Sequence, residues 1–121
     1  IIMPGIPDKQ YAFDIATTYF KALLDAGVRI FRYRPGFVHA KVYVSDANQA
    51  VVGTINTDYR SLYQNFENGI YLYKNLEVLK IEQDFEETQA LSEEVTLESL
   101  SKMPLVHRLS GYLFSLIGPL M

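Results

Sequence analysis

The side chains best suited to chemistry lie in one 18-residue stretch, from His39 to Asn56. It reads His39-Ala40-Lys41-Val42-Tyr43-Val44-Ser45-Asp46 and, after a break, Gly53-Thr54-Ile55-Asn56. Imidazole, with a reference pKa of about 6.5, can attack phosphorus or protonate a leaving oxygen near neutrality. An ammonium and a carboxamide can donate hydrogen bonds to phosphoryl oxygens as charge builds on them. The set suits a phosphodiester. No cluster of histidines and carboxylates has metal-ligand spacing, so neither a metal nor a cofactor is expected.

Strand geometry accounts for the spacing. Side chains two apart point to the same face, roughly 6.6 Å apart along the strand. His39, Lys41 and Tyr43 therefore share one face, and Val38, Ala40, Val42 and Val44 share the other. A hairpin turning at Ala47-Asn48 would set His39 opposite Asn56 and Lys41 opposite Thr54, with cross-strand neighbours about 5 Å apart. Asp46 falls at the far end of this hairpin. It is expected to cap the turn or pair with a cation rather than touch the phosphate.

The elements that must hold this hairpin can be read outward from it. Residues 1–6 read as a strand end and exit loop stopped by Pro4 and Pro7. Asp8 is a candidate cap for a helix over residues 9–26. Ala12, Ile15, Tyr19 and Leu23 recur there at helical spacing, and Gly27 ends it. Residues 28–33, 38–44, 50–56 and 68–73 read as strands. Residues 76–91 read as a helix with Val78, Ile81 and Phe85 on one side. The order implies an α/β fold, a mixed β-sheet flanked by helices.

The 121 residues fit one domain, and an apolar fraction of 49% is enough for a packed core. With no cysteine, disulfides and thiolate metal sites are excluded. The first residue is Ile1 rather than methionine, and the chain reads as a fragment of a longer protein. Net charge is -3, which argues against nucleic acid as a partner. Residues 29–60 hold five Lys or Arg against Asp46 and Asp58, a local +3; residues 76–99 hold Lys80 against eight acids, a local -7. The acidic stretch reads as a solvated helix face. Arg29, Arg32 and Arg34 are either a solvated strand face or a surface for anionic lipid. Residues 105–121 carry an apolar helical stripe of Leu105, Leu109, Tyr112, Leu113 and Leu116, too short to span a bilayer. That tail either caps the core or a missing partner lobe, or lies on a membrane surface. His107 has no motif around it and reads as a bystander.

The pattern His39-x-Lys41-x4-Asp46-x6-Gly53-Thr54-x-Asn56 resembles the HKD signature of the phospholipase D superfamily. The run Asn56-Thr57-Asp58-Tyr59-Arg60-Ser61, then Asn65-Phe66-Glu67, looks like the second HKD motif of bacterial-type cardiolipin synthases. Tyr33-Arg34-Pro35-Gly36-Phe37-Val38 is similar to that family's approach to the motif. The resemblance covers residues 1–73, and more weakly the ending Pro119-Leu120-Met121. Thr54 stands where many members carry serine, and it keeps the hydroxyl.

The resemblance implies a second, C-terminal catalytic lobe with a helical tail, whose site is completed by an N-terminal HKD lobe of the same chain. One histidine would be phosphorylated while the other serves as acid and then base. His39 would be the second-motif histidine. Lys41 and Asn56 would hold phosphoryl oxygens, with Thr54 assisting. Glu67 would hold the far ring nitrogen of the histidine. Arg60 would meet a lipid phosphate or pair with an acid of its own chain. Asp46 and Gly53 would be structural. The implied reaction joins two phosphatidylglycerol molecules and releases glycerol, with phosphatidylglycerol and other anionic phospholipids as partners. The implied location is the cell membrane, with the catalytic domain on the cytoplasmic side and the anchor outside these residues. Two alternatives stay open: a phospholipase D or single-motif nuclease acting as a dimer, and a catalytically silent lobe that binds a membrane or partner.

Overall fold

A computed structural model describes residues 1–116 and divides the chain into two compact units. One comprises residues 1–38 with the stretch from residue 91 onward; the other comprises residues 39–90. The tail ending Pro119-Leu120-Met121 lies outside the described residues.

The first unit opens with β1 (Ile2–Pro4), followed by α1 (Gln10–Asp25) and β2 (Phe31–Tyr33). Asp8 does not cap α1. Lys9 takes the N-cap position in an extended conformation, with no side-chain cap bond. Asp8 is one residue too early, because a capping oxygen reaches the second and third helical N–H groups only from the N-cap itself. The far end stops as the sequence requires. Gly27 adopts φ 83°, its N–H bonds Leu24 O at 3.0 Å, and the Val28 N–H bonds Leu23 O at 2.9 Å. These paired bonds form a Schellman stop.

The expected α1 stripe of Ala12, Ile15, Tyr19 and Leu23 is not the face that packs: Ala12 and Tyr19 are exposed. The helix instead uses two adjoining faces. Ala16, Phe20, Leu23 and Leu24 join Ile30, Val95, Met3, Val28 and Leu100 in the core. Asp14 and Thr17 are buried beside them. Ile30 is 1% exposed, so Ile30→Ala would cost about 2–5 kcal/mol.

The second unit holds a meander of β3 (Lys41–Ser45), β4 (Gln49–Gly53) and β5 (Gly69–Tyr73), with α2 (Tyr59–Tyr63) between the last two strands. Asp58 caps α2 by accepting the Ser61 N–H at 2.8 Å. α3 (Glu77–Ala90) follows, with Val78 fully buried and Ile81 and Phe85 half-buried. The chain then returns to the first unit as β6 (Ser92–Glu94), α4 (Leu97–Ser101) and α5 (Leu105–Ser115). Thr96 and Ser99 exchange side-chain-to-backbone bonds at 3.1 and 3.0 Å, the reciprocal cap that starts α4.

The class is α/β, and the strands fall into two three-stranded sheets, ordered β1-β2-β6 and β3-β4-β5. β2 pairs in parallel with β1 and antiparallel with β6. Both of its edges are then occupied, and β3 starts a new, wholly antiparallel sheet. Three strands are displaced from their expected spans: residues 28–30 precede β2, and the hairpin strands run 41–45 and 49–53.

The arginines flanking β2 are not a free lipid-facing surface. Arg29 bonds both Glu94 carboxylate oxygens, at 2.8 and 2.9 Å. Arg34 bonds Glu93 at 2.6 Å. Arg32 is half-buried. Two exposed acids of the acidic stretch, Glu93 and Glu94, thus lie on β6 rather than on a helix face and pair with these arginines.

Candidate active site

Each site residue is placed by the β3–β4–β5 meander. Its register differs by one residue from expectation: Lys41 faces Gly53, not Thr54, and Ser45 faces Gln49. The physical reason lies in the turn. Asp46 and Ala47 both take left-handed conformations, φ 54° and 52°, and the Asn48 N–H closes onto Ser45 O at 3.2 Å. Asn48 then stands as an extra residue before β4, making a three-residue connection in place of two. Asp46 sits in this turn, its carboxylate accepting from the Ser45 hydroxyl at 2.9 Å. It is at the other end of β3 from Lys41.

His39 lies just before β3, and Thr54 and Asn56 lie just beyond β4, so none of them belongs to the ladder and the expected His39–Asn56 pairing does not form. They still meet. His39, Lys41, Gly53, Thr54 and Asn56 line one open cleft of about 210 Å³. The strand ends, rather than cross-strand pairing, bring them together.

Within the cleft the Lys41 ammonium is 2.9 Å from Nε2 of His39 and donates to the His39 carbonyl at 2.8 Å. An ammonium has donors only. It meets Nε2 as a hydrogen-bond partner only in a tautomer that leaves a lone pair there.

Across the cleft, Thr54 is held at two points. Its N–H donates to Asn68 O at 2.8 Å, and its hydroxyl accepts from the Asn68 N–H at 3.0 Å. The same hydroxyl donates to the Glu67 carboxylate. Asn65 donates to the other Glu67 oxygen at 3.4 Å. The Thr54 hydroxyl is the main cause holding the Glu67 carboxyl below its ordinary value, and the Lys41 charge adds to it.

Gly53 is required by this closeness. A Cβ there would overlap the Asn68 carbonyl oxygen and lie 2.6 Å from the Gly69 Cα. Only a residue without a side chain lets β5 approach here. Arg60, on α2, is exposed and makes no ion pair among the described residues.

Tyr43 is a residue whose role was not anticipated. Its hydroxyl donates to Ile55 O at 2.8 Å, fixing the peptide immediately before Asn56. Burial, then the nearby Asp58 charge, pushes its phenol pKa up. The signal was present in the sequence, since Tyr43 shares the strand face of Lys41. His107, which carries no motif, has a structural contact: it meets the buried Asp14 carboxylate at 3.2 Å, in the first unit. No group of three His, Asp or Glu among the described residues could hold a metal ion.

An imidazole, an ammonium, a hydroxyl and a carboxamide thus surround one open cleft. The family model described as "Cardiolipin synthase, PLD-like domain" matches residues 1–89. The chain belongs to this phospholipase D-like domain family of cardiolipin synthases. Over 121 residues it is 51% identical to an uncharacterized protein of Streptococcus mutans serotype c. It is 40% identical to a cardiolipin synthase of Clostridium perfringens (strain SM101 / Type A) and 38% identical to cardiolipin synthase 2 of Bacillus anthracis. These alignments cover 100% of this chain and 26%, 25% and 24% of the respective relatives. The chain thus spans about a quarter of the length of the curated relatives it matches. No solved structure matches it.

Proposed function

We propose that this chain supplies half of a phosphatidyl-transfer site that makes cardiolipin from two phosphatidylglycerol molecules, at the cytoplasmic face of the cell membrane. The carrying observation is that His39, Lys41, Thr54 and Asn56 line one solvent-open cleft. The other half is an N-terminal lobe of the same protein with its own histidine. The two lobes flank one phosphorus atom.

In the first step the partner-lobe histidine attacks the phosphorus of one phosphatidylglycerol. A P–N bond forms and the P–O bond to glycerol breaks. His39, as imidazolium, gives its proton to the departing glycerol oxygen. In the second step His39, now neutral, takes the proton from the glycerol hydroxyl of a second phosphatidylglycerol. That oxygen attacks phosphorus, the P–N bond breaks, and cardiolipin leaves. Lys41 and Asn56 hold the phosphoryl oxygens through both steps. Lys41 also meets Nε2 of His39 when no phosphate is present, and an arriving phosphate would draw its ammonium onto oxygen. Thr54 gives its hydroxyl proton to Glu67 and takes the Asn68 N–H at 3.0 Å, so its part is to tie the cleft wall in place. Arg60, exposed and without an ion pair among the described residues, is available for a lipid phosphate.

The reading is tested by assaying the 121-residue chain alone on phosphatidylglycerol micelles. No cardiolipin is expected, because one of the two required histidines is missing. Turnover by the purified monomer would refute the half-site reading.

A further inference from the structure

α5 is mounted inside out. In a globular protein the apolar stripe of a helix normally faces the core and the polar face meets water. Here His107, Ser110 and Gly111 face inward, beside Phe114, whose ring lies 6.2 Å from that of Tyr11. The Asp14 carboxylate of α1 accepts from the Ser110 hydroxyl and contacts His107 at 3.2 Å. Gly111 is buried so tightly on α1 that a Cβ would overlap the Asp14 carbonyl oxygen and lie 2.9 Å from Thr18. The outward face carries Leu105, Val106, Leu109, Tyr112, Leu113 and Leu116, each between 59% and 79% exposed. At about 100° per residue these six occupy an arc of roughly 120°. The buried attachment fixes that arc outward, so the stripe does not cap the core of its own unit.

We propose that this face of α5 is a docking surface for an anionic phospholipid bilayer, with the helix lying in the plane of the interface. Charge points to that occupant. The whole chain is at -3, yet from Leu100 to Met121 it contains no acid and carries Lys102, His107 and Arg108. Lys102 is neutralised by Glu98 at 2.7 Å, whereas Arg108 makes no ion pair among the described residues. Arg108 and Tyr112, one turn apart, edge the stripe, giving the order from leucine to phenol to guanidinium that suits a headgroup boundary. The stripe offers one polar atom, the Tyr112 hydroxyl. A protein partner would use about one hydrogen bond per 100–200 Å² of interface; a bilayer needs none. Among the described residues no helix is long and apolar enough to cross a membrane, so attachment through α5 is interfacial. The choice of phosphatidylglycerol as the headgroup rests on the phosphatidyl-transfer reading.

The test uses sedimentation with phosphatidylcholine vesicles, with and without phosphatidylglycerol. The chain has no cysteine, so Leu113→Cys and, as a control, Gln83→Cys can each carry one environment-sensitive fluorophore. The expected result is binding to the phosphatidylglycerol vesicles, with an emission blue shift at position 113 and none at 83. Leu109→Glu with Leu113→Glu should lower the bound fraction at least ten-fold. Arg108→Gln should lower it about five-fold, the value of one basic residue at an anionic surface. Failure of the unsubstituted chain to bind, or an equal shift at both labels, would overturn the proposal. So would a concentration-dependent dimer, abolished by the two glutamates, in a chain that ignores vesicles. His39→Ala should leave vesicle binding intact, which separates failure of this surface from failure of the chemistry.

Discussion

The two histidines stand in opposite surroundings built from similar parts. His107 meets a carboxylate that also takes bonds from Ser110 and from Gln10, the latter at 2.7 Å, and Asp14 at their centre is 3% exposed. His39 meets an ammonium at the mouth of an open cleft, with the Thr54 hydroxyl and its Glu67 carboxylate across it. A trio of His, Asp and Ser between helices acts as a fastener, its central carboxylate buried between α1 and α5. A set of His, Lys, Thr and Glu at strand ends leaves an open cleft. Residue type does not distinguish the fastener from the candidate site here; the burial of the central carboxylate against the openness of the cleft does.

The sharpest way to break this contrast is to delete each imidazole in a protein that carries the complete two-lobe site. His39→Ala should lower phosphatidyl transfer about a thousand-fold or more, with an unchanged circular dichroism spectrum. His107→Ala should leave turnover within a few-fold and lower the thermal midpoint. The opposite pattern would make His107 the reactive group and His39 the structural one.

Each region also depends on a glycine at its closest approach. Gly53 admits the β5 backbone and Gly111 admits the α1 backbone. Replacement by alanine at either site should cost about 1–3 kcal/mol through forced backbone shifts, read as a lower urea midpoint. Gly53→Ala should also displace Thr54 and depress activity, while Gly111→Ala should act on stability alone. Equal losses of activity would show that the two regions are not separate in function.

Much of the second region was legible because a strand repeats every two residues and the motif is dense. Lys41, Thr54 and Asn56 line one cleft, though not through the cross-strand pairing that the spacing suggested. The register was not legible: it turns on Asp46 and Ala47 entering left-handed conformations, and Ala47 carries no signal for that. The first region was harder to read. α1 buries Asp14 and Thr17, which periodicity in apolar residues cannot flag: the α5 partners of Asp14 lie more than 90 residues away, and Thr17 bonds Asp14 O within the helix at 2.7 Å. β6 is three residues long and rich in acid; it pairs because Arg29 and Arg34 neutralise Glu94 and Glu93.

Acid sharpens the contrast further. Burial alone would raise the Asp14 carboxyl, but hydrogen bonds from Ser110, Gln10 and His107 outweigh it and hold the group below its ordinary value. A carboxyl depressed in the folded state stabilises the fold above its unfolded pKa, near 3.9 for aspartate. That contribution is lost as pH falls through the lower, folded value. Asp14→Asn should cost about 1 kcal/mol at pH 7. Below about pH 4 the gap between variant and parent should close. Urea midpoints at both pH values test this, and a gap that widened in acid would reverse the sign.

The smallest effect belongs to the open cleft. Thr54→Val keeps the shape of the side chain and removes the hydroxyl that is the main cause of the lowered Glu67 carboxyl. Glu67 should then titrate closer to an ordinary glutamate, and Thr54→Ser should hold it down as the parent does. Because Glu67 is far less enclosed than Asp14, water replaces much of the lost bond, and the urea midpoint should barely move. Carbon-detected NMR titration of the side-chain carboxyls reads the change directly. An unmoved Glu67 in Thr54→Val would mean that Ser61, Asn65 and Lys41 hold the carboxylate, and that Thr54 is a pin between strands rather than the anchor point of the site.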